Sequence, residues 1–340
     1  MKHSVVIGGA GFVGSWVVDE ILKEIGTRVT IIDNLISSER VNISSDPRVK
    51  FIEGSAAELS TLKRITSPVD YVYQLACFHG NQSSITRPLD DLENGLKTTL
   101  VTLEWVKNEH PNARVIYSGA GCAVAEKTWS APIPVQEIDT TSLKHDSPYS
   151  ISKIVGEMYC LYYAEQQGLD VVRVRFQNVY GPREILGAGK WRGNVNTIWR
   201  NVVPTFIFKA LNNIDIEIYG GQNAARDFIY VEDVAEGVVL ALKNGESGKV
   251  YNLATGTETF IHELASTIVN EANSKSKCFH ENKRVWDNSG RRMGSIELSA
   301  KEIGFKSKIK LIDGLNKTIN WTASNIDLIV NNINKFNNRI

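Results

Sequence analysis

Long hydrophobic runs are missing from this chain of 340 residues. No stretch reaches the 18 or more apolar residues that a membrane-spanning helix needs, which excludes an ordinary helical membrane anchor. The first apolar run, Val5-Val6-Ile7, ends at Gly8 and is too short for a secretory leader. A soluble, cytoplasmic protein is expected. Net charge is missing as well. The 38 basic side chains balance 38 acidic ones, so no global field favours nucleic acid or an anionic membrane surface. Cysteine is sparse: Cys77, Cys122, Cys160 and Cys278 lie far apart with no C-x-x-C or zinc-type spacing. No metal site is expected, and each thiol reads by default as a small buried hydrophobe. Internal repeats, low-complexity tracts and heptads are also absent. What remains is a globular chain with 42% hydrophobic residues, long enough for one large or two unequal domains with a sizeable core.

The first 175 residues alternate short apolar runs with helical patterns. The runs Ser4–Ile7, Arg28–Asp33, Val49–Glu53, Tyr71–Leu75, Arg114–Ser118 and Val171–Arg175 are rich in Val, Ile and Tyr and nearly continuous in apolar character. That is the pattern of strands covered on both faces. Helices are expected near Phe12–Glu24, Leu89–Asn108 and Tyr149–Gln167. Strand and helix in alternation predict an α/β fold, a doubly wound parallel sheet of Rossmann type. Beyond Phe176 the regularity fades, with a helix expected near Pro204–Leu211. A helix at Val231–Lys243 and a strand at Lys249–Leu253 then read as a return to the sheet. The expected organisation is a dinucleotide-binding domain from residues 1–176 plus about 230–256. A smaller, discontinuous α/β substrate domain would come from residues 177–229 plus about 257–340.

Gly8-Gly9-Ala10-Gly11-Phe12-Val13-Gly14 follows the first strand and opens the first helix. The early glycines permit a tight turn, Gly11 lets backbone approach a pyrophosphate, and Gly14 lets helix and strand pack closely. The helix N-terminus offers unpaired N–H groups and partial positive charge to the phosphates. Asp33 ends the second strand, where a carboxylate accepts from ribose hydroxyls and repels a 2′-phosphate; no arginine follows until Arg40. NAD is therefore the expected cofactor. The competing reading makes Asp33 a turn or capping residue.

Tyr149 and Lys153 are four residues apart and share one helix face. A tyrosine of pKa about 10 becomes an effective base near neutral pH only if the phenolate is favoured by about 4 kcal/mol, and a lysine ammonium beside it is a source of that preference. By itself Y-x-x-x-K is common and usually a solvated helix face. Downstream of a dinucleotide loop it is specific.

At these residues the chain resembles the extended short-chain dehydrogenase/reductase superfamily, in particular the NAD-dependent nucleotide-sugar epimerases and dehydratases. The resemblance rests on Gly8–Gly14, Asp33, Leu75-Ala76, the Tyr149/Lys153 pair, Arg175 to Pro182, Arg226 to Val234, Tyr251 to Gly256 and Arg291-Arg292, and it spans nearly the whole chain. It implies a cofactor site at Gly8, Gly11, Phe12, Val13, Gly14, Asp33, Asn34, Leu75, Ala76, Tyr149 and Lys153. It implies a nucleotide-diphosphate sugar held by Ser118, Asn178, Arg226 and Arg292. It further implies a homodimer paired through the helices Leu89–Asn108 and Tyr149–Gln167, the second presenting Met158, Leu161 and Tyr162.

The chain also departs from that family. Ala120 stands where relatives place a serine or threonine on the reacting sugar hydroxyl, leaving the role to Ser118, Cys122 or water. Gly121 and Cys122 occupy the positions where dehydrating or decarboxylating relatives carry carboxylates. A thiol at Cys122 can move a proton next to a carbonyl, as in relatives that invert carbons beside a keto group; a packed small residue is the alternative. Residues 184–203, with Lys190, Trp191, Arg192, Trp199 and Arg200, form a basic, aromatic segment that either covers the sugar or is a structured loop. His79 reads as a packing residue. The expected activity is a NAD-dependent epimerase or dehydrogenase acting through a 4-keto sugar. The alternatives are a keto-sugar reductase or C3/C5 epimerase using Cys122, a 4,6-dehydratase, and a non-catalytic dinucleotide sensor.

Overall fold

A computed structural model describes residues 1–78, 80–121, 128–139, 143–190, 195–199, 201–220, 222–282 and 290–335. Its first strands are β1 (Lys2–Ile7), β2 (Thr27–Asp33), β3 (Val49–Glu53), β4 (Tyr71–Gln74), β5 (Arg114–Ala120) and β6 (Val171–Phe176). Then come β7 (Asn178–Tyr180), β8 (Ile216–Tyr219), β9 (Ala225–Tyr230), β10 (Val250–Leu253), β11 (Glu258–Phe260), β12 (Cys278–Glu281) and β13 (Arg291–Arg292). A parallel sheet of seven strands runs in the order β10-β6-β5-β4-β1-β2-β3. It is the doubly wound Rossmann arrangement expected from the alternating pattern.

Alternation along β1 shows why these strands read as continuous apolar runs. Val6 faces a core with Val17, Val18, Val174, Val234 and Val238, beneath the helices Phe12–Leu22 and Val231–Asn244. Val5 and Ile7 face the opposite core with Leu103, Trp105, Val106, Cys160 and Tyr163, beneath the helices Thr98–Glu109 and Pro148–Gln167. With helices on both sides, neither strand face meets water. A third core, including Phe206, Ile207, Ile216, Phe228, Leu264 and Leu315, lies under the later segments.

Those later segments carry more strand than their sequence signals. β9 pairs with β7, β11 and β13, and β8 pairs with β12. Each is six residues or shorter and finds its partner far along the chain, so the local pattern is weak. The expected helix at Leu89–Asn108 is found as Pro88–Asp91, a π-helical turn at Leu92–Lys97 and an α-helix at Thr98–Glu109. Among the described residues no helix is long and apolar enough to cross a membrane.

The helix Pro148–Gln167 bears the Tyr149/Lys153 pair. Ser147 caps it by accepting from the Ser150 N–H, Pro148 occupies its first turn, and Gly168 closes it in the left-handed region at φ 70°. Gly156 lets it press onto β5, because a methyl there would overlap the Tyr117 ring. The Tyr117 hydroxyl donates to the Lys153 carbonyl at 3.1 Å. The helix is also tied by charge. Glu157 accepts from Arg175 Nε at 3.1 Å through each oxygen and from Nη2 at 2.9 Å, with Arg173 Nη1 3.9 Å away. Arg175 Nη1 reaches the Glu137 carbonyl at 3.1 Å, and Asn252 holds the same loop through Val135 O at 2.8 Å and Glu137 Oε1 at 2.9 Å.

These groups are buried, so removing one partner strands the other charge. Glu157→Ala is expected to lower unfolding stability in urea by about 3–5 kcal/mol. Glu93→Ala breaks the exposed Lys97–Glu93 pair and is expected to cost at most about 0.5 kcal/mol. Equal, small losses for the two variants would contradict this assignment.

Candidate active site

The C-terminal ends of β1, β2, β4, β5 and β6 open onto one cleft of about 860 Å³. In an open α/β sheet this edge is where ligands bind. At one end lies the glycine loop. Gly8 has φ +84°, and its Cα hydrogens face the backbone of Ala76: an added Cβ would stand 2.8 Å from Ala76 Cα. A Cβ on Gly14 would overlap the Gly8 carbonyl. The Gly11 N–H donates to Gly8 O at 3.1 Å and folds the turn ahead of the helix. Gly8, Gly11, Phe12, Val13, Gly14, Leu75 and Ala76 all line the cleft, as the sequence motif predicts.

Asp33 and Asn34 line it too. Asp33 accepts from Ala10 N at 3.1 Å, Leu35 N at 2.8 Å and Ser38 Oγ at 2.8 Å. Burial raises its carboxyl pKa above the ordinary value, against the pull of these hydrogen bonds. The turn role and a place in the cleft therefore coexist in one residue. Asn34 accepts from Ile36 N at 3.1 Å and donates to Asn94 Oδ1 at 2.9 Å.

Midway along the cleft stand Tyr149, Lys153 and Ser118. The buried Lys153 ammonium donates to Ser118 O at 2.6 Å and lies 3.3 Å from Ser118 Oγ. It sits 5.9 Å from the Tyr149 ring centroid and 5.3 Å from that of Tyr117. Helical spacing thus delivers both side chains to one volume, with a full positive charge beside the phenol. Ser118 Oγ itself donates to Gln74 O at 3.2 Å. Tyr149 and Val135 pack against the small buried cluster of Ala120 and Ile154. Cys122 and His79 lie outside the described residues.

At the far end two arginines stand on short strands. Arg226 is in β9 and Arg292 in β13, directly opposite each other in a parallel pair. Both line the cleft with Asn178 of β7, whose Nδ2 donates to Asp227 O at 3.3 Å. The Arg292 Nε is buried and makes no hydrogen bond among the described residues. Arg226 Nη1 donates to the carbonyls of Ala225 and Gly290. Beneath them Asp227, fully buried, gathers Thr255 Oγ1 at 2.6 Å, Thr255 N at 3.0 Å, Gly256 N at 3.0 Å and Gly294 N at 3.4 Å.

The motif around Arg226 is evident in sequence, but this organising role of its neighbour is not. Sequence reasoning also passed over Trp129, Gln177, Lys209, Glu217 and Tyr219, which line the cleft. The alternation in Ile216-Glu217-Ile218-Tyr219 was the available signal for the last two. From the segment 184–203, Glu184, Ile185, Ala188, Trp199 and Asn201 to Val203 line the cleft. Lys190 is fixed by its N–H on Ile36 O at 3.0 Å, and Trp191, Arg192 and Arg200 lie outside the described residues.

Comparison with known proteins matches this geometry. The sequence profile described as the NAD dependent epimerase/dehydratase family matches residues 4–254. The crystal structure of the Bordetella bronchiseptica enzyme WbmF in complex with NAD+ and UDP is similar, with 44% identity and a TM-score of 0.89 over 100% of this chain and 97% of that one. A UDP-N-acetylglucosamine 4-epimerase from Methanobrevibacter ruminantium M1, in complex with UDP-N-acetylmuramic acid, is 29% identical with a TM-score of 0.83 over 95% and 98% of the two chains. A putative UDP-glucose 4-epimerase from Methanocaldococcus jannaschii is 29% identical over 322 residues, 94% of this chain and 98% of its relative. The chain belongs to the NAD-dependent epimerase/dehydratase family of extended short-chain dehydrogenases/reductases.

Proposed function

We propose that this protein is a NAD-dependent nucleotide-sugar epimerase that works by oxidising the sugar at C4 to a 4-keto intermediate and reducing it on the other face. The observation that carries the reading is the shared cleft. It runs from the glycine loop past the Tyr149/Lys153 pair to the Arg226/Arg292 pair. Similarity to structures solved with NAD+ and UDP, and to named 4-epimerases, supports it. In this reading residues 1–176 with about 230–256 hold the cofactor, and residues 177–229 with about 257–340 hold the sugar nucleotide.

The residues present fit NAD. Gly8 and Gly14 let the turn close where a side chain would clash with backbone, a helix begins at Phe12 with N–H groups for a pyrophosphate, and Asp33 and Asn34 line the same cleft with groups suited to a ribose. Leu75 and Ala76 wall the same stretch. When bound, NAD supplies reversible hydride acceptance.

The chain supplies proton control and orientation. Tyr149 removes the C4 hydroxyl proton. Lys153, held by the Ser118 carbonyl, favours the phenolate by charge, a task of about 4 kcal/mol if the phenol is to work near neutral pH. Arg226 and Arg292 grip the diphosphate, their planar forks matching its oxygens, and Asn178 and Ser118 contact the ligand between the two ends. Gly121, beside Ala120 at the end of β5, brings no carboxylate to this wall, which favours epimerisation over dehydration.

The homodimer belongs to the same proposal. Leu89, Leu92, Ile151, Met158 and Tyr162 are exposed, on or just before the two helices that pair across a twofold axis in relatives; Leu161 is half-buried. Large apolar side chains left exposed on these two helices support an interface there. Light scattering at micromolar concentration is expected to give twice the 37.8 kDa chain mass, whereas a monomeric mass would contradict the pairing.

Tyr149→Phe keeps the ring and removes only the proton acceptor. Epimerisation, followed by product analysis on a panel of UDP-sugars, is expected to fall about 100- to 10,000-fold, with NAD binding retained. Turnover at the wild-type rate in this variant would refute the mechanism.

A further inference from the structure

One polar side chain lining the cleft has no task in the chemistry above. Gln177 follows β6, whose last residue, Phe176, pairs in register with Ala120 of β5. Ala120 forms with Ile154 the small cluster against which Tyr149 packs, so Gln177 stands one residue beyond the strand position facing that cluster. It lines the cleft and is 8% exposed. Its backbone N–H is used by Leu253 O at 3.3 Å. Its Oε1 is fully buried and makes no hydrogen bond among the described residues.

The surroundings are hollowed to admit this amide. A Cβ on Gly121 would overlap it, and a Cβ on Gly294 would meet Nε2 at 2.8 Å. An apolar side chain could fill the same wall without penalty. Buried polar groups in folded proteins are almost always paired, and one left unpaired in a binding cleft points to a partner that arrives with the ligand. The partner must be an acceptor, because Oε1 is closed off and only the Nε2–H donors are left to it. Ala120 offers no hydrogen bond of its own.

We propose that Gln177 is a substrate-recognition residue whose amide binds a hydroxyl next to the reacting C4, the one on C3 or on C6 of the sugar. The inference rests on the nucleotide-sugar reading and names the ring contact that the reading leaves open. Nε2 donates to the hydroxyl oxygen. The contact fixes the ring so that C4 faces Tyr149, and no bond to carbon is made or broken by Gln177.

The test uses Gln177→Met, which keeps length and shape but removes donor and acceptor, with Gln177→Leu as a second variant. Wild type and variants are assayed on UDP-glucose and UDP-N-acetylglucosamine, and on the 3-deoxy and 6-deoxy counterparts of whichever turns over faster. UDP affinity and melting midpoint are measured alongside. Gln177→Met is expected to lose about 10- to 100-fold in kcat/KM while UDP affinity and melting midpoint stay at wild-type values. Wild type is expected to lose a similar factor on one deoxy substrate, to which the variant is indifferent. Unchanged kcat/KM in both variants overturns the proposal. So does a variant that loses as much as wild type on each deoxy substrate, or one whose UDP affinity falls in parallel with turnover. A wild-type protein that binds no UDP instead overturns the nucleotide-sugar reading itself.

Discussion

An ammonium group buried from water needs acceptors, and at Lys153 they come from the end of one strand. The Ser118 carbonyl at 2.6 Å and its hydroxyl at 3.3 Å hold the charge. A buried ammonium left without them would bear the full cost of desolvation. The same bond sets the distance between helix Pro148–Gln167 and β5. Since Tyr149 lies one turn before Lys153, fixing the lysine also fixes the phenol over the cleft.

Around this bond the structure builds outward in layers. Tyr117 and the gap at Gly156 seat the helix on the sheet. Ser152 donates to Asp91 at 2.5 Å and ties the helix to the turn before the π-helical segment. Glu157 links it to Arg175 and so to the loop at Val135 and Glu137. On the other side of the cleft, Asp227 does for the Arg226/Arg292 strands what Lys153 does for the helix: one buried charge, satisfied by several fixed groups, sets the position of its neighbours. Buried charges satisfied in this way are geometric restraints first, and their net contribution to stability is smaller than their number implies.

Where local sequence decides the structure, the sequence was readable. Continuous Val/Ile runs and the Gly8–Gly14 turn follow from sheet burial and steric limits, so the sheet and the glycine loop were legible without coordinates. The Tyr149/Lys153 pair follows from helix periodicity alone. Where partners are distant, the sequence was silent. The pairing of Arg226 with Arg292 leaves no local trace because β9 and β13 are short and lie 66 positions apart in the chain. Asp227 reads as one more acid until Thr255, Gly256 and Gly294 are seen to point at it. Gln177 reads as an ordinary residue after a strand, since Gly121 and Gly294, which make room for it, lie far away in sequence. The stretch 184–190 follows the same rule, its fit depending on the loop at Ile36 and on the helix Ile326–Asn334.

The central claim is that the sugar is inverted at C4 and that the hydrogen leaving this carbon returns to it without meeting solvent. Turnover of the preferred UDP-sugar in deuterated water, with product examined by mass spectrometry and NMR, tests it most directly. The account predicts an epimer of unchanged mass after back-exchange of hydroxyls, with no deuterium on any ring carbon. Deuterium at C3 or C5, lost in Cys122→Ala, would contradict it and assign the inversion to proton exchange beside a keto group.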